Sequence, residues 1–246
     1  MVRVDGREND EMRPMDANVG YIDYAEGSVL ITQGNTRVLC TATVDTEVPK
    51  WLKEKKQGWV TAEYSMLPRS THTRNQRDRV RSKPDGRSQE IQRLIGRSLR
   101  SVCDLKALQG FNITVDCDVI QADGGTRTAS ITGGFIALQM AINNLVFEKT
   151  LLTTPILDSV SAISVGIIEG EALLDLCFVE DSKADSDFNI VMTGSSKIVE
   201  VQGSAEGQVF SRKQLDDVLN LAEKGIASIN AFQRKSLSIL RTQDKL

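Results

Sequence analysis

Two stretches of the chain each run from paired β-type segments into a long helical segment, and this repeated order constrains the fold more than any other feature. The first half predicts a hairpin of strands over 27–34 and 36–44, and the second half predicts another over 160–168 and 172–179. The order favours a mixed α/β (α+β) fold with duplicated units over an alternating doubly wound sheet, although the pattern alone leaves duplication open.

Hydrophobic spacing predicts the remaining elements: a strand over 58–63, an arginine-rich loop over 64–86, a helix over 89–108, a strand over 113–119, a helix over 128–146, strands over 188–192 and 198–202, and a helix over 211–238 with Ser211 as N-cap. The chain has 246 residues, of which 40% are apolar, enough for a sizeable core. No apolar run approaches the roughly 18–20 residues of a membrane span, so no membrane association is expected. The first residues carry no apolar signal core, which predicts a cytoplasmic protein.

The four cysteines, Cys40, Cys103, Cys117 and Cys177, are widely separated and have apolar flanks. This pattern predicts buried reduced thiols rather than a zinc site or a disulfide framework. His72 is the only histidine, so an acid or base in this chain is expected to be a carboxylate.

Positive charge is concentrated in one segment although the net charge of the chain is −3. Residues 69–100 carry a net charge of +7, from the ten cations Arg69, Arg74, Arg77, Arg79, Arg81, Lys83, Arg87, Arg93, Arg97 and Arg100 and three anions. The overall charge excludes a uniformly basic nucleic-acid binder, but the segment predicts contact with a polyanion. Its part from Arg69 to Lys83 has no aromatic residue, which suits contact with phosphates rather than with bases. A subunit contact or a disordered tail would explain it equally well.

A glycine turn with the sequence DGGTRT, at 123–128, lies between a predicted strand and a predicted helix. Two glycines allow close backbone approach, and the free N–H groups of a helix N-terminus favour an anion. Thr126 and Arg127 add a hydroxyl and a guanidinium, so the turn predicts a phosphate site. Arg87 also opens a helix, where a cation opposes the helix dipole unless it binds a shared anion. An ordinary turn and a solvated arginine are the alternatives.

Four carboxylates lie within the segment EDSKADSD at 180–187. Such a group can hold a hard cation such as Mg²⁺, and their proximity can raise the pKa of one member enough for acid catalysis. A solvated acidic turn is the alternative. An anion site, a carboxylate cluster and a polyanion-binding loop in one chain together indicate phosphoryl transfer on a nucleic acid.

The chain resembles the ribonuclease PH family, bacterial phosphate-dependent exoribonucleases that trim tRNA precursors from the 3′ end. The resemblance covers nearly the whole chain and includes GWVTAEYSMLPR at 58–69, EIQRLIGR at 90–97 and DCDVIQADGGTRTASITG at 116–133. It implies duplicated βαβα units like the second domain of ribosomal protein S5, in a single domain over 1–246 with halves near 1–150 and 151–246. It also implies a homohexamer built as a trimer of dimers that acts on RNA 3′ ends and not on DNA.

The resemblance assigns roles to individual positions. Inorganic phosphate, the co-substrate, would be held by Arg87, Gly125, Thr126 and Arg127. Asp181 and Asp187 would be catalytic and would hold Mg²⁺, with Asp187 protonating the departing 3′ oxygen and Asp181 on the metal. Contacts to tRNA would come from Arg69, Arg74 and Arg77.

This chain departs from the family pattern at Ser88-Gln89, where Thr-Met is usual, and at Lys183 and Asp185 between the two catalytic carboxylates. We expect these changes to affect rate and RNA preference rather than reaction type. Two rival functions are a catalytically silent ring subunit and a Mg²⁺-dependent hydrolytic nuclease. All the expected arginines and aspartates are present, which argues against the first, and hydrolysis leaves the phosphate site unexplained, which argues against the second.

Overall fold

The computed structural model describes residues 3–77 and 85–243, without the side chains of 239–243. The described elements are β1 (Met15–Val19), β2 (Gly27–Gln33), β3 (Thr36–Asp45), α1 (Lys50–Lys55), β4 (Trp59–Met66), α2 (Gly86–Arg100), β5 (Asn112–Gln121), α3 (Thr126–Phe147), β6 (Val160–Ile168), β7 (Glu171–Leu174), α4 (Phe178–Asp181), β8 (Ser186–Thr193), β9 (Ile198–Ala205) and α5 (Arg212–Gln243). The predicted mixed α/β fold is confirmed. The predictions made for Arg79, Arg81 and Lys83 lie outside the described residues.

Two sheets form the framework, one in each half. The first has the strand order β1-β2-β3-β5-β4, in which only the β4–β5 pair is parallel, because α2 crosses between those strands. The second has the order β7-β6-β8-β9, with every pair antiparallel. Each half thus contains a sheet and at least one long helix, as duplicated units require.

The helix α3 lies between the two halves. It packs on β2 and β3 of the first sheet and on β6 of the second, and its residues are buried on nearly every side. The contact with β2 is close: a Cβ added at Gly27 would lie 2.0 Å from the carbonyl oxygen of Ala137. Glycine at position 27 is therefore required for this helix-to-sheet distance.

No uninterrupted apolar run in the sequence has the length of a membrane span, but the helix α3 combines sufficient length with an apolar composition. It is the one helix among the described residues that is long and apolar enough to cross a membrane. Most of it is buried between the two sheets, so packing into a protein core accounts for its apolar composition.

Two predicted boundaries were wrong because distant segments compete for the backbone. The helix predicted over 89–108 ends at Arg100: Cys103 pairs with Ile156 in an isolated β-bridge, and the Asp104 N–H donates to the Pro155 carbonyl at 2.8 Å. The strand predicted over 172–179 ends at Leu174, because Asp175 adopts a φ of +55° and the short helix α4 follows. The strand β1 and the helix α1 were not predicted.

All four cysteines are buried and none forms a disulfide, as predicted. Cys40 and Cys117 lie opposite each other on β3 and β5. Burial raises the pKa of the Cys103 thiol to about 12, so this thiol stays protonated at neutral pH.

A buried charged network joins the N-terminal segment to both halves. Asp175 is fully buried, and its carboxylate accepts hydrogen bonds from the Arg13 guanidinium at 2.6 and 3.0 Å and from the Gln33 side chain at 2.9 Å. Arg13 also donates to the carbonyl oxygen of Asp123, in the glycine turn. Nearby, Arg3 binds both carboxylate oxygens of Glu180, at 2.7 and 2.8 Å.

We expect Asp175→Ala to lower the free energy of unfolding by about 3–5 kcal/mol, because Arg13 would be left buried without its counter-ion. Urea denaturation followed by circular dichroism measures the loss, and a single transition is expected if the two halves form one domain. Asp216→Ala, which removes an exposed (i, i+4) pair with Arg212, is the matched control and should cost less than about 1 kcal/mol. Equal losses for the two variants would contradict the importance of the buried network.

Candidate active site

A cleft of about 580 Å³ lies between the two halves and contains every residue predicted to bind phosphate or to act in catalysis. The first half contributes the end of β4, the loop after it, the start of α2 and the glycine turn. The second half contributes side chains from β6, α4 and β8. The predicted residues that line it are Arg87, Gly125, Thr126, Arg127, Asp181 and Asp187.

The glycine turn has a backbone that only glycine adopts readily. Gly124 and Gly125 have φ angles of +76° and +66°, and Gly125 is the N-cap of α3. A Cβ added at Gly124 would lie 2.5 Å from the carbonyl oxygen of Leu176, so the turn is packed directly against the second half. The first N–H groups of α3 have no partner within the helix and are available to an anion.

Thr126 is positioned by Tyr64, at the end of β4. The hydroxyl groups of Tyr64 and Thr126 are 2.9 Å apart. Burial raises the pKa of Tyr64, which keeps its hydroxyl neutral and able to donate. Strand β4 alternates Val60, Ala62 and Tyr64 on its buried face, a pattern that places the Tyr64 side chain inside the fold but does not identify its contact with Thr126.

Arg127 is held by two side chains from different parts of the fold. One of its Nη atoms donates to Gln202 Oε1 at 2.7 Å and to Glu90 Oε1 at 3.4 Å. Gln202 in turn donates to Glu90 at 2.6 Å, so the three side chains form a closed network. Because a guanidinium has five N–H donors, Arg127 retains donors for a bound anion. Gln202 was not predicted as a site residue, and it comes from the distant strand β9.

Arg87 occupies the first turn of α2, where the N-cap residue Asp85 accepts from the Ser88 N–H at 3.3 Å and from its hydroxyl at 3.0 Å. The Arg87 side chain is exposed, and no carboxylate within 3–77 or 85–243 lies within 4 Å of it as an ion-pair partner. Ser88, one of the departures from the family pattern, also lines the cleft.

Asp181 and Asp187 face each other across the acidic side of the cleft. Burial and then the charge of Asp187 raise the pKa of Asp181, whereas Arg87 and Arg127 act in the opposite direction. Asp187, Arg87 and Arg127 therefore lie within electrostatic range of Asp181. The Ser204 hydroxyl donates to Asp187 Oδ1 at 2.8 Å and orients that carboxylate.

The other two carboxylates of the acidic segment do not belong to the cleft. Glu180 turns inward to Arg3, and Asp185 accepts from the Glu169 N–H at 3.2 Å. Neither Lys183 nor Asp185 lines the cleft, so these departures from the family pattern lie outside its walls.

The donor set of the cleft fits Mg²⁺. Within the part of the chain that the structure describes, no group of three or more His, Cys, Asp or Glu side chains is arranged to hold a metal ion. Mg²⁺, however, is commonly bound through one or two carboxylates together with water and substrate phosphates. Asp181 and Asp187, which both line the cleft, would supply the two carboxylates.

Ser164 is a further polar residue of the cleft. It lies on β6 and is 6% exposed, and its hydroxyl has no hydrogen-bond partner among the described residues. The oxygen is 3.9 Å from the position that a Cβ on Gly125 would occupy. Ser164 stands within the apolar run VSAISVGII, and this placement could have marked it in the sequence as a candidate site residue. A buried hydroxyl normally has a hydrogen-bond partner, so one without a partner in the protein is available to a ligand.

The three arginines predicted to contact tRNA, Arg69, Arg74 and Arg77, are exposed on the loop after β4. They do not line the cleft, but Thr71, Asn75 and Gln76 of the same loop do. The loop thus carries its cations next to the cleft rather than within it.

Comparison with known proteins gives two family matches and several similar structures. The 3′ exoribonuclease family, domain 1, matches residues 11–142, and domain 2 of the same family matches residues 158–225. Rrp46 from rice (Oryza sativa) is 20% identical with a TM-score of 0.78, over 96% of this chain and 100% of that one. The Archaeoglobus fulgidus exosome with RNA bound to the active site is 24% identical with a TM-score of 0.78, over 92% and 91%.

An archaeal exosome core is 21% identical with a TM-score of 0.75, over 94% of this chain and 91% of that one. At these identities the structural similarity establishes a shared fold. The family matches extend over both sheets and include the glycine turn, Arg87 and both cleft aspartates. The chain therefore belongs to the 3′ exoribonuclease family.

Proposed function

We propose that this chain is a phosphorolytic 3′-to-5′ exoribonuclease of the ribonuclease PH type that trims tRNA precursors. The observation that carries the proposal is the division of the cleft into an anion-binding wall, with Arg87, Arg127 and the glycine turn, and an acidic wall with Asp181 and Asp187. A nuclease that uses water as nucleophile has no need of a separate phosphate site. A homohexamer built as a trimer of dimers is part of the proposal.

In the proposed reaction, inorganic phosphate held by Arg87, Thr126, Arg127 and the α3 N-terminus attacks the last phosphodiester of the RNA. A new P–O bond forms to the attacking phosphate and the bond to the 3′ oxygen breaks, so a nucleoside diphosphate leaves. The two arginines stabilise the charge on the transferring phosphoryl group. The attacking hydrogen phosphate gives up its proton, which passes through Asp187, oriented by Ser204, to the 3′ oxygen, so the shortened RNA keeps a 3′ hydroxyl.

Mg²⁺ held by Asp181 and Asp187 would offset negative charge on the reacting phosphates. The reaction exchanges one phosphate linkage for another, so excess nucleoside diphosphate should drive nucleotide addition to RNA.

The first test is incubation of a 3′-labelled tRNA precursor with the protein and Mg²⁺, with and without inorganic phosphate. We expect nucleoside diphosphate only when phosphate is present. Arg127→Ala should lower kcat/KM for phosphate about 10- to 100-fold, the effect of losing a hydrogen-bonded charge. Arg212→Ala, on the exposed face of α5, is the control and should leave it unchanged.

Two other outcomes would contradict the proposal. Release of nucleoside monophosphate regardless of phosphate would indicate hydrolysis. Binding of RNA without any release would indicate a catalytically silent ring subunit. The chain shares its fold with Rrp46 and with an archaeal exosome core, so this alternative is tested directly.

Ser164→Ala should raise KM for phosphate about tenfold and leave KM for RNA unchanged, if the Ser164 hydroxyl donates to the bound phosphate. The control is Ser161→Ala on the same strand, whose hydroxyl is already bonded to Asn230 at 3.0 Å. That variant should lose stability without a change in KM for phosphate. An unchanged KM in Ser164→Ala would remove Ser164 from the phosphate site.

Replacing Arg69, Arg74 and Arg77 together by alanine should weaken tRNA binding and flatten its salt dependence. Each lost contact with a duplex phosphate lowers the slope of log K against log salt by about 0.9. Fluorescence anisotropy at several salt concentrations measures this. A triple alanine variant of Arg212, Lys213 and Lys224, all exposed on α5, carries the same change in charge and should keep the slope. Equal slopes in the two variants would contradict the assignment.

A further inference from the structure

Phe178 exposes an aromatic ring within the polar cleft. It is the first residue of α4, it is 52% exposed, and it lines the cleft together with the glycine turn and the two aspartates. A single exposed apolar residue elsewhere on the surface needs no explanation. An exposed ring inside a binding cleft is different, because a ligand that enters the cleft will meet it.

The backbone of Phe178 is fixed directly to the glycine turn. Its N–H donates to Asp123 Oδ1 at 3.2 Å, and its nitrogen is 3.0 Å from the position that a Cβ on Gly124 would occupy. Phe178 and Asp181 are three residues apart on one helical turn, so they share a face, and both line the cleft. The ring is thus attached beside both the anion site and the acidic wall.

The ring of Phe178 is not stacked on another ring in the described residues. Its neighbour is the imidazole of His72, with centroids 6.5 Å apart and the planes tilted by 52°. His72 belongs to the loop that carries Arg69 and Arg74. The two rings therefore form a contact between the two halves of the chain, next to the cleft that Phe178 lines.

We propose that Phe178 is the platform on which the 3′-terminal base of a bound RNA stacks. This inference rests on the proposed function, since it assigns the base of the same substrate whose phosphate is held by Arg127. Stacking on an aromatic face accepts every base, which suits an enzyme that removes successive nucleotides of any sequence. The adjacent anion site favours a nucleotide over a protein segment as the occupant, because a nucleotide brings a phosphate together with a planar base.

The test compares two 5′-fluorescein-labelled RNA oligonucleotides that differ only at the last nucleotide, which carries a base in one and is abasic in the other. Binding is measured by anisotropy in phosphate-free buffer. The wild-type protein should bind the RNA with the terminal base about tenfold more tightly than the abasic RNA, with similar values for A, G, C and U. Phe178→Leu should reduce this ratio towards one, whereas Phe178→Tyr should keep it.

Val179→Ala is the matched control. Val179 is the next residue on the same helical turn and is 43% exposed, but it does not line the cleft, so the ratio should be unchanged. A wild-type ratio in Phe178→Leu would overturn the proposal. So would an equal loss of affinity for both RNAs, which would mean that the ring contacts a part of the RNA other than the terminal base.

The phosphate-dependent release assay, run on the same preparations, separates this proposal from the proposed function. An unchanged ratio in Phe178→Leu, with diphosphate release intact in the wild type, would overturn the base platform alone. Loss of the ratio in Phe178→Leu, with no phosphate-dependent release by the wild type, would support the platform and overturn phosphorolysis.

Discussion

The buried carboxylate of Asp175 is the group on which the arrangement of the cleft depends. It is fully removed from water, and Arg13 and Gln33 satisfy it from the N-terminal segment and from β2. Buried charges are tolerated only when they are paired and hydrogen-bonded, so these segments must stay together for the fold to be stable. Arg13 also holds the Asp123 carbonyl, and the chain from Asp175 leads directly into α4. One ionic network thus connects the glycine turn to the segment that leads into α4.

The cleft divides its charges between the halves of the chain. The cations and the glycine turn belong to the first half, whereas Asp181 and Asp187 belong to the second. The raised pKa of Asp181 reflects this division, since burial and the neighbouring carboxylate outweigh the two arginines opposite. Glu180 is adjacent to Asp181 in the sequence but does not add its charge to the cleft, because it forms a buried ion pair with Arg3.

Most of the fold could be predicted from the sequence because the strands and long helices have clear local periodicity. The errors arose where a remote partner decided the local structure, as at Cys103, which pairs with Ile156, and at Asp175, which pairs with Arg13. The residues of the candidate site likewise divide into those that a local pattern predicts and those that a remote contact brings in. Arg87, Gly125 and Asp181 stand in local patterns that the sequence displays, whereas Gln202 joins the site through a contact with Arg127 that no local pattern encodes.

The packing of Gly124 against the Leu176 carbonyl has a consequence for how such a site can be moved or divided. The second half covers one side of the glycine turn, although every residue of the turn belongs to the first half. A gene fragment encoding the first half would therefore leave this side of the turn open to solvent. For protein engineering, a graft of the glycine turn keeps this enclosure only if it brings the opposing carbonyl with it.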